Sequence, residues 1–179
     1  MADDHVLLSA LAELAQRGAI GERSLPAAVS HAEQFALAVP PTARILADLG
    51  SGGGLPGVVV AVRCPWLRVC LVERRSSRAD LLRRAVLALD LAGRVEVFAA
   101  DVRHLVEQRT GSFDVVTARS FGPPPVTARW GSALLAPGGL MIVSEPPDGG
   151  SERWPHDLLA PLGLSDLGRE QGIHRFQRH

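Results

Sequence analysis

The stretch "RILADLGSGGGLPGVVVAVRC", residues 44–64, limits the fold more than any other in this chain of 179 residues. "RILADLG" is an apolar run of strand length. Six of the ten residues from Asp48 to Gly57 are glycine or proline, which ends any regular element. The apolar pattern then resumes in "LPGVVVAVRC" as a helix, with Pro56 suited to its first turn. A buried strand, a tight glycine turn and a helix in direct succession make the opening of a βαβ unit, and hence a parallel sheet covered by helices.

The rest of the chain repeats that alternation. "LRVCLVE", "RVEVFAAD", "FDVVTAR" and "LMIVSE" read as four further strands. Between them a helix is expected from Ser77 to Gly93, capped by Ser77 with Asp80 three residues on. Its inward face is Leu81, Leu82, Ala85, Val86 and Leu89. "HLVEQRT" gives a short helix, and "PPPVTARWGSALLAPGG" holds another that ends at the Pro137-Gly138-Gly139 turn. Two helices come first: residues 2–18, with Leu7, Leu8, Leu11 and Leu14 on one face and Gly18 as a stop, then Leu25 to Val39, ended by Pro40-Pro41. Residues 152–162 read as a helix, and the tail as a hairpin turning near Glu170–Gly172. The expected fold is α/β: a mostly parallel sheet with helices on both faces and an antiparallel C-terminal hairpin. The length suits one domain, residues 1–179, with a helical segment at 1–41 and a core at 42–179.

Composition excludes more than it identifies. Hydrophobic residues make up 46% and mean hydropathy is +0.13, which argues against disorder. All 19 basic residues are arginine, and lysine, asparagine and tyrosine are absent, a pattern that fits coding bias. A net charge of zero argues against a strong nonspecific grip on nucleic acid. The start "MADDHVLLSA" is acidic, so no signal peptide is expected of it, and no apolar run approaches the roughly 20 residues of a membrane span. Cys64 and Cys70 fit no CxxC pattern and read as reduced packing thiols of a cytoplasmic protein. No metal-ligand spacing is present, and nothing indicates an oligomeric state.

Two glycine registers overlap in the loop. Gly52, Gly54 and Gly57 satisfy G-x-G-x-x-G, a dinucleotide fingerprint. Asp48, Gly50, Gly52 and Gly54 satisfy D-x-G-x-G-x-G, the loop of S-adenosylmethionine-dependent methyltransferases. A phosphate-loop NTPase is set aside, because no Gly-Lys-Ser/Thr follows. Charge separates the other two. A carboxylate at Asp48 opposes a pyrophosphate but attracts an ammonium and a sulfonium, while the cofactor's own carboxylate can meet the loop amides. Glu73 ends the second strand about 20 residues on, where an acid can accept from both ribose hydroxyls. Asp101 ends the third, where an acid can accept from the adenine amino group. The expected cofactor set is Asp48, Gly50, Ser51, Gly52, Gly54 and Leu55 of the loop, with Glu73, Arg74, Asp101 and Val102 at the next strand ends.

These residues resemble a known family. "DLGSGGGLPG", with Leu55-Pro56-Gly57 closing the loop, is similar to the glucose-inhibited division protein B family. "FDVVTARSF" followed by "ARWGSALLAPGG" resembles its fourth strand, the arginine at Arg119 and the next helix and turn. "ERRSSRADLL" resembles its segment after the second strand, with Arg78 at a usual basic position. The likeness covers roughly residues 43–143. It implies a class I Rossmann-like methyltransferase that uses S-adenosylmethionine on guanine N7 of 16S ribosomal RNA, with the small ribosomal subunit as partner. The departures lie on the substrate side. The family usually has a longer N-terminal helical region with an Arg-His-x-x-Asp-Ser signature, of which "SHAEQF" keeps His31. Ala99 stands where an arginine often precedes the third-strand acid, and Ser144-Glu145 where a lysine is usual.

Methylation at a free N7 lone pair needs no general base, only positioning and electrostatics. That agrees with the lack of any nucleophile-and-base set. Arg119, just past the fourth strand, is the catalytic candidate, able to bind a guanine edge or a phosphate; tying the following loop to a carboxylate is its structural alternative. His31 is a weaker candidate. Arginines 74, 75, 78, 83 and 84 suggest an RNA-facing patch or a solvated face, with helical phasing placing Arg83 toward solvent. Trp66, Trp130 and Trp154 read as packing residues. Pro146-Pro147 reads as a strand stop. Three other readings stay open: a small-molecule or other macromolecular acceptor, a noncatalytic cofactor-binding paralogue, and an NAD-dependent oxidoreductase.

Overall fold

In the computed structural model, which describes residues 4–16, 24–146 and 151–179 and all of their side chains except that of Ser151, local pattern sets each element. Leu7, Leu11 and Leu14 recur at helical spacing and are buried along α1 (Asp4–Gln16), whereas Leu8 falls on the other face and is exposed. The expected stop at Gly18 lies outside the described residues. α2 (Leu25–Ala38) starts with Pro26 in its first turn and buries Ala28, Val29, Ala32, Phe35 and Ala36. The near-continuous apolar runs become β1 (Ile45–Leu49), β2 (Arg68–Val72), β3 (Val95–Phe98), β4 (Phe113–Ala118) and β5 (Leu135–Ser144). Strands buried on both faces, as β1, β2 and β4 are over most of their length, need no polar alternation. The intervening helices are α3 (Gly57–Arg63), α4 (Ser76–Ala88), α5 (Val102–Arg109) and α6 (Pro124–Leu134).

Five local expectations change, two of them at helix ends: α4 stops at Ala88 rather than Gly93, and α6 stops at Leu134, so that Pro137-Gly138-Gly139 lies within β5. α4 begins at Ser76 with Arg75 as its N-cap, and no side chain caps it, so Ser77 lies inside the first turn. Leu81 is only partly buried, while Ala79 joins the inward face. Residues 152–162 form no continuous helix. A 3-10 turn at Ser151–Arg153 is separated from α7 (His156–Leu159) at Pro155, and a second 3-10 turn at Ala160–Leu162 follows α7, with Pro161 inside it and without the N–H that would continue the α-helix. The tail forms the expected hairpin of β6 (Leu164–Glu170) and β7 (Ile173–Arg178).

The seven strands make one sheet in the order β3-β2-β1-β4-β5-β7-β6. The first five are parallel, and β7 pairs antiparallel with both β5 and β6. Helices α1 to α4 cover one face over Leu46, Val69, Leu71 and Val115. Residues of α5 to α7 cover the other over Leu49, Val72, Val116, Met141 and Phe176. Chain order reverses between β1 and β4, and in open parallel sheets the crevice at such a reversal, beyond the carboxyl ends, is where ligands bind.

Candidate functional site

The loops leaving β1, β2, β3, β4 and β5 meet at that crevice and enclose a two-lobed cleft. One lobe, about 360 Å3, is bounded by Glu73, Arg74, Asp101, Val102, Phe121 and Trp130. The other, about 590 Å3, is bounded by residues that include Ser51, Gly52, Leu55, Arg119, Glu145 and Trp154. Gly50, Arg78, Ser120 and Phe121 border both. Each lobe falls in the size range of small-molecule sites.

Glu73 follows β2 and is buried, 5% exposed. One carboxylate oxygen accepts the Gly52 amide at 3.1 Å and the other the Arg75 amide at 2.8 Å. The glycine loop and the β2 end are thus joined through one carboxylate, and each oxygen keeps a lone pair for a further donor. Asp101 caps α5, accepting the Arg103 amide and its Nε, both at 3.0 Å. The amide bond first, then the Arg103 side chain, holds its carboxyl below the usual range. Val102, next to it, is buried behind the smaller lobe.

Asp48 sits differently from expectation. It is completely buried and borders neither lobe. Its Oδ1 accepts the Thr117 hydroxyl of β4 at 2.7 Å, and its Oδ2 has no hydrogen-bond partner among the described residues. Burial pushes its carboxyl up to about 6, opposed most by the Thr117 hydroxyl. The carboxylate therefore lies beneath the glycine loop and has no face on either lobe. Gly54 also borders neither lobe and packs toward Val58 and Leu14. Gly57 explains the end of the "LPG" signature. A Cβ there would come within 2.5 Å of Asp48 Oδ2 and strike Leu71, so α3 lies on β1 and β2 only if that residue has no side chain.

Arg119 leaves β4 beside the larger lobe, and its Nη1 donates to the Ala28 carbonyl of α2 at 3.4 Å. Ser120 follows with a positive φ of 54°, a sparsely populated conformation that concentrates at functional sites. His31 of α2 borders the same lobe and pairs through Nε2 with the Gly172 carbonyl at 3.1 Å. The arginine patch divides: Arg74, Arg75 and Arg78 border the cleft, whereas Arg83 pairs with Asp80 at 2.7 Å on the outer side of α4. Trp154 is buried and Trp130 half-buried against the cleft, but Trp66 is 46% exposed in the turn before β2 and is not a packing residue. Cys64 and Cys70 are buried free thiols, and burial pushes Cys70 up to about 12.

Sequence reasoning missed Phe121, whose ring lies 3.0 Å from where a Gly50 Cβ would stand, and Trp130 and Arg153 on the cleft walls. "RSFGPPP" marked a loop, but nothing in it signalled which face the aromatic would take. Among the described residues no cluster of His, Cys, Asp or Glu can hold a metal ion, and no helix is long and apolar enough to cross a membrane.

With this geometry in hand, the likenesses to known proteins are specific. The family model described as rRNA small subunit methyltransferase G matches residues 11–145. A ribosomal RNA small subunit methyltransferase G of Salinispora tropica is 40% identical over 137 residues, 71% of this chain and 55% of that protein. One of Mycolicibacterium gilvum is 36% identical over 132 residues, 73% and 58%. The chain spans about half the length of the curated relatives it matches. Among solved structures, an O-methyltransferase from Bacillus cereus in complex with SAH aligns with a TM-score of 0.68 at 18% identity, covering 98% of this chain and 92% of that one. The cofactor-bound Rv0187 from MTB aligns at 0.69 and 19%, covering 98% and 90%. At those identities the likeness establishes the fold, a class I Rossmann-like sheet with an antiparallel C-terminal hairpin.

Proposed function

The chain belongs to the rRNA small subunit methyltransferase G family, and from that premise we propose that it is an S-adenosylmethionine-dependent methyltransferase acting on guanine N7 of 16S ribosomal RNA. Glu73 carries the reading. A buried carboxylate aligned by two backbone amides, one from the glycine loop, is built to accept from a pair of hydroxyls such as those of a ribose. Asp101, Val102 and Arg74 frame the same lobe and suit the base and sugar of a nucleoside. Gly50, Ser51, Gly52 and Leu55 border the cleft and give close backbone approach, with Gly54 and Asp48 supporting them from behind. The buried Asp48 charge sits under the loop, where it favours a cation and opposes a pyrophosphate.

Bound there, S-adenosylmethionine supplies a methyl group already activated on a sulfonium. The protein then has to position the acceptor, exclude water and stabilise charge, which needs no general base. Arg119 is the residue to hold the acceptor, through a guanine edge or a phosphate.

Calorimetry with S-adenosylhomocysteine and with NAD tests the cofactor: binding of the first and not the second is expected, and the reverse overturns the reading. Tritiated-methyl transfer onto 16S RNA and small subunits tests the acceptor, with a loss of at least about tenfold in Arg119→Ala. Label that enters only small molecules moves the acceptor to that class. Cofactor binding with no label transferred to any cell fraction makes the chain a binding module.

A further inference from the structure

The larger lobe has a wall that lies past the residues matched by the family model. The match ends at residue 145, and Arg153 and Trp154 lie past it, both bordering the lobe. Glu145 follows β5, and its side chain is 1% exposed. Its Oε2 accepts from Arg153 Nη1 at 2.5 Å, and its Oε1 from the Trp154 indole Nε1 at 2.5 Å. His174 Nδ1 stands 3.9 Å from Oε1, and the other nitrogen of that ring pairs with Asp166 at 2.7 Å. Trp154 in turn packs on Phe176 at 4.8 Å between ring centroids.

A carboxylate this enclosed is tolerable only when a cation and hydrogen bonds meet it. Glu145 therefore fixes where the Arg153 guanidinium sits. A guanidinium has five N–H donors in a fixed fork, and Glu145 meets only its Nη1, so the other donors are directed elsewhere. The Arg153 side chain stays 35% exposed, on a lobe also bordered by Arg78 and Arg119. Among the described residues bordering that lobe, Glu145 is the one carboxylate, and it is already paired. Three guanidiniums against one neutralised acid suit an anionic group, and forked donors suit a phosphate.

We propose that Arg153, set in place by Glu145, grips a backbone phosphate of a polynucleotide acceptor at the far wall of the larger lobe. The proposal rests on the RNA reading above and assigns part of its recognition to the segment beyond the family match. Arg153 is an acceptor-binding residue and Glu145 a positioning residue.

Fluorescein-labelled single-stranded RNA is titrated into S-adenosylhomocysteine-loaded protein over a range of salt concentrations. Arg153→Ala should weaken binding about five- to tenfold at low salt. It should also make the plot of log affinity against log salt shallower by about 0.7 to 1, the signature of one lost phosphate contact. Arg153→Lys should keep the slope and lose only a few-fold in affinity, because its charge remains and its fork does not. If Arg153→Ala does not fold, the double variant Glu145→Gln/Arg153→Gln removes both charges, leaves no buried ion unpaired, and should show the same shallower slope. A purely structural role would leave the slope at its wild-type value, and that result overturns the assignment. Failure of the RNA reading looks different: wild-type protein then binds S-adenosylhomocysteine but neither binds nor methylates RNA. That outcome removes the RNA reading and this proposal together.

Discussion

A carboxylate enclosed on every side is costly to ionise, and Asp48 holds its proton up to a pH of about 6 for that reason. Below about 3.8 both folded and unfolded chains are protonated there, so the side chain adds no pH dependence. From 3.8 to about 6 the folded chain keeps a proton that the unfolded chain has lost, so stability falls as pH rises through that window and levels off above it. The span corresponds to about 3 kcal/mol. Asp48→Asn does not titrate, and the stability difference between variant and wild type should change by about that much between pH 4 and 7 in urea denaturation. A difference that stays constant with pH would show that the carboxyl is not perturbed. Gly57→Ala tests the same contact from the other side. A Cβ 2.5 Å from Asp48 Oδ2 pushes α3 off the sheet, so a loss of about 1 to 3 kcal/mol and weaker S-adenosylhomocysteine binding are expected by melting and calorimetry. The sequence made these residues conspicuous without saying which way they face. "DLGSGGGLPG" announced a ligand loop, yet the depth of Asp48 and the need for glycine at 57 depend on how α3 settles over β1 and β2. That packing is a tertiary fact with no local signature.

Elements drawn from continuous apolar runs were legible, because a strand buried on both faces can hardly be written otherwise. Less legible were the pieces decided by one competing residue. Pro155 and Pro161 break what helical spacing alone would join across 152–162, and the start of α4 at Ser76 leaves Ser77 with no capping role. Least legible was the docking of the hairpin on the N-terminal helices, since His31 and Gly172 are 141 residues apart. His31 also meets Phe35 edge-on at 5.5 Å. Its Nε2–H donates to the Gly172 carbonyl, and Gly172 has a φ of 78°, which disfavours any residue with a Cβ. His31→Ala should cost about 1 to 2 kcal/mol through the half-buried hydrogen bond and ring contact. Gly172→Ala should cost about 1 to 2 kcal/mol through left-handed backbone and a Cβ 3.2 Å from the imidazole. Because both act on one contact, the double variant should lose less than the sum by at least about 0.5 kcal/mol in urea denaturation. Strict additivity would mean that the hairpin and α2 are not coupled there.

At the scale of the whole molecule, the cleft is assembled from chain far apart in sequence: the β1 loop at Gly50, the β2 end at Glu73, the α5 cap at Asp101, the β4 loop at Phe121. No local fragment holds these groups in place, so a ligand that needs them binds the folded sheet and not the unfolded chain. Such a ligand raises stability by mass action, by about 2.7 kcal/mol when its concentration is a hundred times Kd. For a chain of this length each kcal/mol moves Tm by about 2 to 4 °C. S-adenosylhomocysteine at that excess should therefore raise Tm by about 5 to 10 °C, and NAD at equal concentration should leave it unchanged. Glu73→Gln separates the cleft from any nonspecific effect. Its amide can still accept from one of the two backbone N–H groups, but the –NH2 that replaces the other oxygen meets a donor with a donor. The variant should need roughly ten times more ligand for the same shift, equal to about 1.4 kcal/mol of lost binding. A full-size shift in Glu73→Gln would move the nucleoside away from the β2 end. No shift in folded wild-type protein would remove the cofactor reading, because a cleft spread over five strand ends cannot be filled without stabilising the sheet that carries them.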